Sequence, residues 1–210
     1  MEQDTVETKV NINLIKSKNE IHFNGSINDE SMSLLIEKIL ELESDIVKKQ
    51  KSLKRKCDEI SKDDEFENYT IQINTPIIKL YITSYGGYVH QVFSAIDTIH
   101  NTSIPVHTIC KGVSASAGTL LSLAGKKRFI TENTYMLIHE IRTGHFGKYT
   151  HLVESMQNNE QLMEHIKKYY LQKTNMTLLE LEEQLKKDIY WNADKCLEKG
   201  LVHEIIKANN

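Results

Sequence analysis

Two kinds of spacing alternate along the chain. Short runs rich in β-branched and aromatic residues, EIHFNGS (20–26), KLYITS (79–84), PVHTICKG (105–112), KRFITE (127–132), YMLIHE (135–140) and GLVHEII (200–206), predict strands. Between several of them, apolar residues recur every three or four positions, the spacing of a helix with one buried face. Val92, Phe93, Ile96 and Ile99 place a helix directly after the turn residues Gly86 and Gly87, and it ends before Pro105, where the next strand opens. Strand, helix, strand in that order predicts a largely parallel sheet and an α/β fold.

Four further helices are legible. Leu152, Met156, Met163, Ile166 and Tyr170 mark one amphipathic helix over 151–171. The sequence TLLE, Thr177 to Glu180, has the capping-box form, in which the threonine oxygen accepts from the backbone N–H three residues on. A last helix is expected from about Asn192 to Gly200, a residue free to take the left-handed turn at a helix end. Leu35, Ile39, Leu42, Ile46, Leu53 and Ile60 predict one long helix over 34–60. Its KKQKSLKRK run would suit a nucleic-acid patch, but the acidic DDEFE run follows and no aromatic residue is interleaved, so a solvated face or a protruding insertion is the preferred reading. No repeat of 20–50 residues is present.

Composition narrows the class without deciding the function. A chain of 210 residues, 40% apolar and 26% charged, suffices for one domain with a substantial core, and a formal charge of −3 offers no general attraction for nucleic acid or anionic lipid. The opening MEQDTVETKV lacks the basic-then-apolar order of a secretory signal, and no apolar run reaches the length of a membrane span. A soluble, cytoplasmic protein is therefore expected. Cys57, Cys110 and Cys196, odd in number and far apart, read as reduced structural thiols rather than a disulfide or CxxC framework.

Candidate chemistry sits in KGVSASAGTLLSLAG (111–125), where Ser114 and Ser116 stand at the handover from strand to helix. A hydroxyl there can face the free N–H groups of a first helical turn. Neither serine has the strict G-x-S-x-G context, and for the segment taken alone close helix packing of small residues is the preferred reading. A serine nucleophile needs a base, for which histidine is the common choice. Of nine histidines, His22, His107 and His203 fall within strand patterns, and His100, His151 and His165 in or beside helices. His139 differs, ending the apolar run YMLIH where the glycine-bearing loop EIRTGHFG begins. HEIRTGH has the wrong spacing for a zinc helix, so no metal site is expected.

In order and spacing these segments resemble the proteolytic subunit of the Clp protease, the ClpP family, over roughly Ile21 to Ile206. YITSYGG resembles the family's SPGG segment, GVSASAG its nucleophile segment, YMLIHE its histidine strand, and KKDIYWNADKCLEKGLV its aspartate segment. The resemblance implies a spiral of ββα units, as in the ClpP and crotonase folds, with a protruding handle helix, here 151–171. It implies a Ser-His-Asp triad of Ser116, His139 and Asp188, and an oxyanion hole from the N–H groups of Gly87 and Ala117. Gly86, Gly144 and Gly147 are expected to bind the substrate backbone, the last two in a strand formed by TGHFGKY. Tyr81 resembles an aromatic of the unfoldase-docking pocket.

The implied protein is a homo-oligomeric serine endopeptidase, a seven-membered ring with stacking of two rings as a further expectation. It would be fed polypeptide by an AAA+ unfoldase that alone uses ATP; the subunit itself is expected to need no cofactor. Residues 1–20 would form an N-terminal segment, with an axial loop as its expected use, and 21–210 the peptidase domain, carrying a charge-rich helical insertion at about 43–70. Tyr85 replaces the family's proline, Ala117 a common methionine, Glu140–Ile141 a Gln-Pro pair, and Lys186–Lys187 an acidic–arginine pair tied to ring stacking. Three other readings stay open: a catalytically idle ring subunit, a crotonase-type acyl-CoA enzyme, and a Ser-Lys dyad using Lys111.

Overall fold

The computed structural model describes residues 19–60 and 76–207. Among the described residues, seven strands form one sheet: β1 (Glu20–Asn24), β2 (Ile78–Ser84), β3 (Val106–Ala115), β4 (Lys127–Thr131), β5 (Tyr135–Leu137), β6 (Tyr190–Trp191) and β7 (Glu204–Ile206). The main path runs β1-β2-β3-β4-β7 with every pair parallel, while β5 pairs with the far end of β3 and β6 runs antiparallel to β5. The chain is therefore α/β with a mostly parallel sheet, as the spacing predicts. The runs at 135–140 and 200–206 form shorter strands than their composition predicts. Each is paired over three residues; beyond them Glu140 N–H turns to Leu185 O on another element, whereas His203 N–H makes one further bond to β4, at Arg128 O.

β3 holds the architecture together because it serves two sets of neighbours. His107–Cys110 pairs with β4, and Val113–Ala115 pairs with β5. Between the halves its register against β2 jumps, from Ile82↔Cys110 to Ser84↔Ser114, and Gly112 sits there at φ 68°. Extra residues on one strand bend it, and a residue without Cβ accommodates the left-handed angle at the bend. The strand consequently delivers its last residues to a second layer.

Six helices lie among the described residues: α1 (Asp29–Ile60), α2 (Val89–Asn101), α3 (Ala117–Ser122), α4 (Tyr149–Lys173), α5 (Leu178–Leu185) and α6 (Ala193–Glu198). Strand β2 alternates strictly, with Ile78, Leu80, Ile82 and Ser84 buried and the residues between them half-buried. Its inner side joins Leu35 and Ile39 of α1 and Val92 and Ile96 of α2 in one core cluster. The outer face holds His22 stacked on Tyr81, with ring centroids 4.5 Å apart, and Lys111 Nζ 5.5 Å from the same ring centre.

Helix α1 starts on Asn28, whose side-chain oxygen accepts from Ser31 N–H at 2.8 Å, a cap that replaces a missing intrahelical bond. Met32, Leu35, Ile39 and Ile46 are buried, whereas Lys51 to Lys56 are exposed all round. The predicted insertion is thus, up to residue 60, a continuation of this helix that leaves the core beyond Val47. Its remainder and residues 1–18 lie outside the described residues. No helix among the described residues is long and apolar enough to cross a membrane.

Candidate active site

The C-terminal ends of β2, β3 and β5 converge on a cavity of about 520 Å³. Its lining includes Gly87 from the turn after β2, Ser116 and Ala117 from the handover of β3 to α3, and His139 from the end of the β5 segment. Ligand sites in parallel sheets form beyond these strand ends, where the loops diverge.

The two serines have opposite fates. Ser114 points inward, its side chain fully buried and its Oγ without a hydrogen-bond partner among the described residues. Ser116 caps α3 and lines the cavity. Its backbone stands at φ 55°, ψ −124°, a region that non-glycine residues sparsely populate. Two contacts hold it there. Ser116 N–H donates to Leu137 O at 2.9 Å, and the buried Thr119 hydroxyl lies 2.9 Å from Ser114 O and 3.0 Å from Leu137 O, so that β3 and β5 are pinned on either side of the bend.

The turn at Gly86 and Gly87 lies directly against this bend. A Cβ on Gly86, which has φ 99°, would come within 2.7 Å of Ser116 Cβ and 3.0 Å of Ala117 N. Gly87, at φ 151°, is pressed against Ile27: Ile27 N–H donates to Gly86 O at 2.9 Å, and Tyr88 N–H to Ile27 O at 2.9 Å. Gly86 N–H donates to Ser84 Oγ at 3.0 Å, whereas no turn or cap hydrogen bond among the described residues uses the N–H of Gly87 or Ala117. Two unspent backbone donors therefore stand near the Ser116 hydroxyl.

His139 is oriented from behind. Its Nδ1 lies 2.7 Å from Asp188 Oδ1, an arrangement that leaves Nε2 as the nitrogen available to a substrate or a hydroxyl. The pair is aligned by α5: buried Gln184 donates to Ile138 O and Ile189 O, both at 3.3 Å, and Glu140 N–H donates to Leu185 O at 2.9 Å. Asp188 Oδ2 accepts from Arg142 Nη2 at 2.7 Å. The hydrogen bond from His139 above all, and then the Arg142 charge, hold the Asp188 carboxyl below its ordinary range against the opposing effect of burial.

Among the described residues no hydrogen bond joins Ser116 Oγ to His139; the two line one cavity without touching through a proton. Gly144 and Gly147 lie in the segment 138–148, which contains no strand, so the strand expected at TGHFGKY is absent. That segment runs past the last paired residue of β5 with no neighbouring strand to complete a ladder, and extended backbone without such a neighbour has no ladder bonds to hold it. Lys111 reaches over Tyr81 and does not line the cavity. Arg142 and Gln184 escaped the sequence reading. An arginine in a polar loop and a glutamine on a helix carry no periodic signal, and each acquires its part only through a contact distant along the chain.

The model of the family described as Clp protease matches residues 70–209. The chain belongs to the Clp protease family. The match contains every strand from β2 onward, and with them the cavity, the glycine turn, Ser116, His139 and Asp188. As in the resemblance to ClpP, this family member places its candidate residues on segments far apart in sequence and close in the fold.

Proposed function

We propose that the protein is a serine endopeptidase that cleaves unfolded polypeptide or short peptides through an acyl-enzyme on Ser116. One observation carries the reading: a serine held at a strained angle opens a helix beside two unspent N–H donors, in one cavity with a histidine oriented by a carboxylate. In the reaction Ser116 Oγ attacks the scissile carbonyl while His139 Nε2 takes the hydroxyl proton and returns it to the leaving amine. Water then hydrolyses the ester by the same proton route. Gly87 and Ala117 N–H receive the developing oxyanion, each such donor contributing on the order of 3 kcal/mol in related chemistry. Asp188 keeps Nδ1 protonated and so keeps Nε2 basic. No step calls on a cofactor.

The contact still required is Ser116 Oγ to His139 Nε2. Catalytic hydrogen bonds are commonly long before substrate binds and close only in the reacting complex. Leu120, Leu162, Ile166 and Tyr170 form an apolar wall to the cavity that suits an apolar side chain beside the cleaved bond. Assembly into a homo-oligomeric ring served by an AAA+ unfoldase is part of the same proposal and rests on family membership.

Mass spectrometry after treatment with a fluorophosphonate tests the reading. The label is expected on Ser116, and Ser116→Ala is expected to remain unmodified. A label on Ser114, or none on a folded assembly, overturns it. A second reading, an idle ring subunit, draws on the unmade Ser116–His139 hydrogen bond, and the same experiment separates the two.

A further inference from the structure

At the opposite end of the sheet, where β3 and β4 begin, lies a second cavity of about 460 Å³. Lys126, Arg128, Lys173, His100 and His203 line it, and no carboxylate does. Glu43 and Asp97 face a neighbouring hollow instead, and the Glu43 carboxylate is engaged by Ser103 N–H and Oγ at 2.6 Å each.

Arg128 is 8% exposed, and a guanidinium so deeply placed is ordinarily matched by an acid. Here only Nη2 is engaged among the described residues, donating to Lys173 O at 2.8 Å and Gly200 O at 3.0 Å, while Nε has no partner. Those two carbonyls belong to the ends of α4 and α6, where helix dipoles offer partial negative charge, about half a unit at most. They leave Arg128 undercompensated, and no carboxylate faces either lysine from the cavity lining.

The other groups are arranged as donors. His203 Nδ1 accepts from Arg128 N–H at 3.0 Å, which leaves its Nε2–H free to donate. Lys173 Nζ lies 3.3 Å from His100 Nε2 and 5.7 Å from the Tyr169 ring centre, so its position is set by neutral partners.

We propose that this cavity binds a small phosphate-type anion, free or carried on a larger group. Three cations of two geometries, one rigid fork and two mobile ammonium groups, suit a tetrahedral oxyanion with more than one charge. Burial first and neighbouring cations second hold His100, Lys173 and His203 below their ordinary values. A bound anion relieves that mutual repulsion, so binding takes up protons.

The test is calorimetric titration of the full-length protein with inorganic phosphate, ionic strength held constant with sodium chloride. Lys126→Ala and Lys173→Met are compared with the parent after thermal unfolding confirms that both fold. Binding in the millimolar range or tighter is expected, weakened about tenfold or more by either substitution, with proton uptake seen as buffer-dependent heat. Adenosine monophosphate and pyrophosphate, titrated in parallel, tell a phosphate carried on a larger group from a free one. No heat beyond that of chloride, or phosphate affinity unchanged in both variants, overturns the proposal. So does a change of oligomeric state on Lys126→Ala without any phosphate effect, which would assign the cavity to a carboxylate of a neighbouring copy.

Discussion

Ser116, the proposed nucleophile, holds a backbone angle that a side chain resists. Residues held in such regions cost on the order of 1–3 kcal/mol and persist because their surroundings dictate the conformation. Here Leu137 O, Thr119 and the Gly86 turn supply that constraint. Ser116→Gly is therefore expected to stabilise the fold by about 1 kcal/mol in urea denaturation while removing all fluorophosphonate labelling. A destabilised glycine variant would show that the angle is not strained. Gly86→Ala works in the other direction: its Cβ would fall 2.7 Å from Ser116 Cβ and 2.8 Å from Ala115 O, both on the bend itself. A loss of about 2 kcal/mol or more, together with loss of peptide hydrolysis, is expected. For Asp188→Asn, which keeps the shape and reverses the tautomer preference, hydrolysis is expected to fall by about four orders of magnitude with little change in KM. A drop of less than about tenfold would remove Asp188 from the proposed triad.

Elements rather than single residues decide how the parts of the site meet, and α5 is the clearest case. Its capping box closes as TLLE predicts, with Thr177 N–H donating to Glu180 Oε2 at 2.9 Å and Glu180 N–H to Thr177 Oγ1 at 3.3 Å. Lys199 Nζ adds a contact to Glu180 Oε1 at 2.7 Å. Lys199 first, and then Thr177, pull the Glu180 carboxyl from 4.5 to about 2. Because the folded value is depressed, this contribution to stability is present above about pH 4.5 and fades as the pH falls toward 2. The melting-temperature gap between the parent and Glu180→Ala is therefore expected to be constant from pH 7 to 5 and to shrink steadily below that. A gap that widens on acidification would contradict the assignment.

The same element shows how far local pattern reaches. Helix α5, its cap and the long helices follow from spacing, because their signals lie within a few residues of one another. Ser114 and Ser116 could not be separated in that way, since their burial depends on where β5 and the glycine turn come to rest. Asp188 stood out only through the resemblance to ClpP, and Arg142 not at all. Their contacts to His139 and to each other span 49 and 46 residues, and no periodicity encodes a pairing at that distance.

At the scale of the whole molecule, the exposed apolar surface is uneven. Phe146, Tyr149, Leu152, Val153 and Met156 lie on the segment before α4 and its first two turns, and Phe146 and Tyr149 are almost wholly in contact with solvent. The later turns of the same helix bury Ile166, Tyr169 and Tyr170 in the core. A helix anchored at one end and apolar but uncovered at the other is arranged for association, because an apolar surface of this extent is rarely left in water. If the proposed ring forms, a second copy is the expected partner of this surface. Native mass spectrometry is expected to find assemblies at whole multiples of seven times the 24.3 kDa chain mass. Leu152→Lys combined with Met156→Glu is expected to break the largest species into smaller ones while the melting curve at dilute concentration stays the same. Both positions are exposed and neither belongs to the buried core cluster, so a change in oligomer size without a change in fold isolates the surface. Persistence of the largest species in that variant would place the contact between copies elsewhere and leave the exposed turns of α4 without a structural explanation.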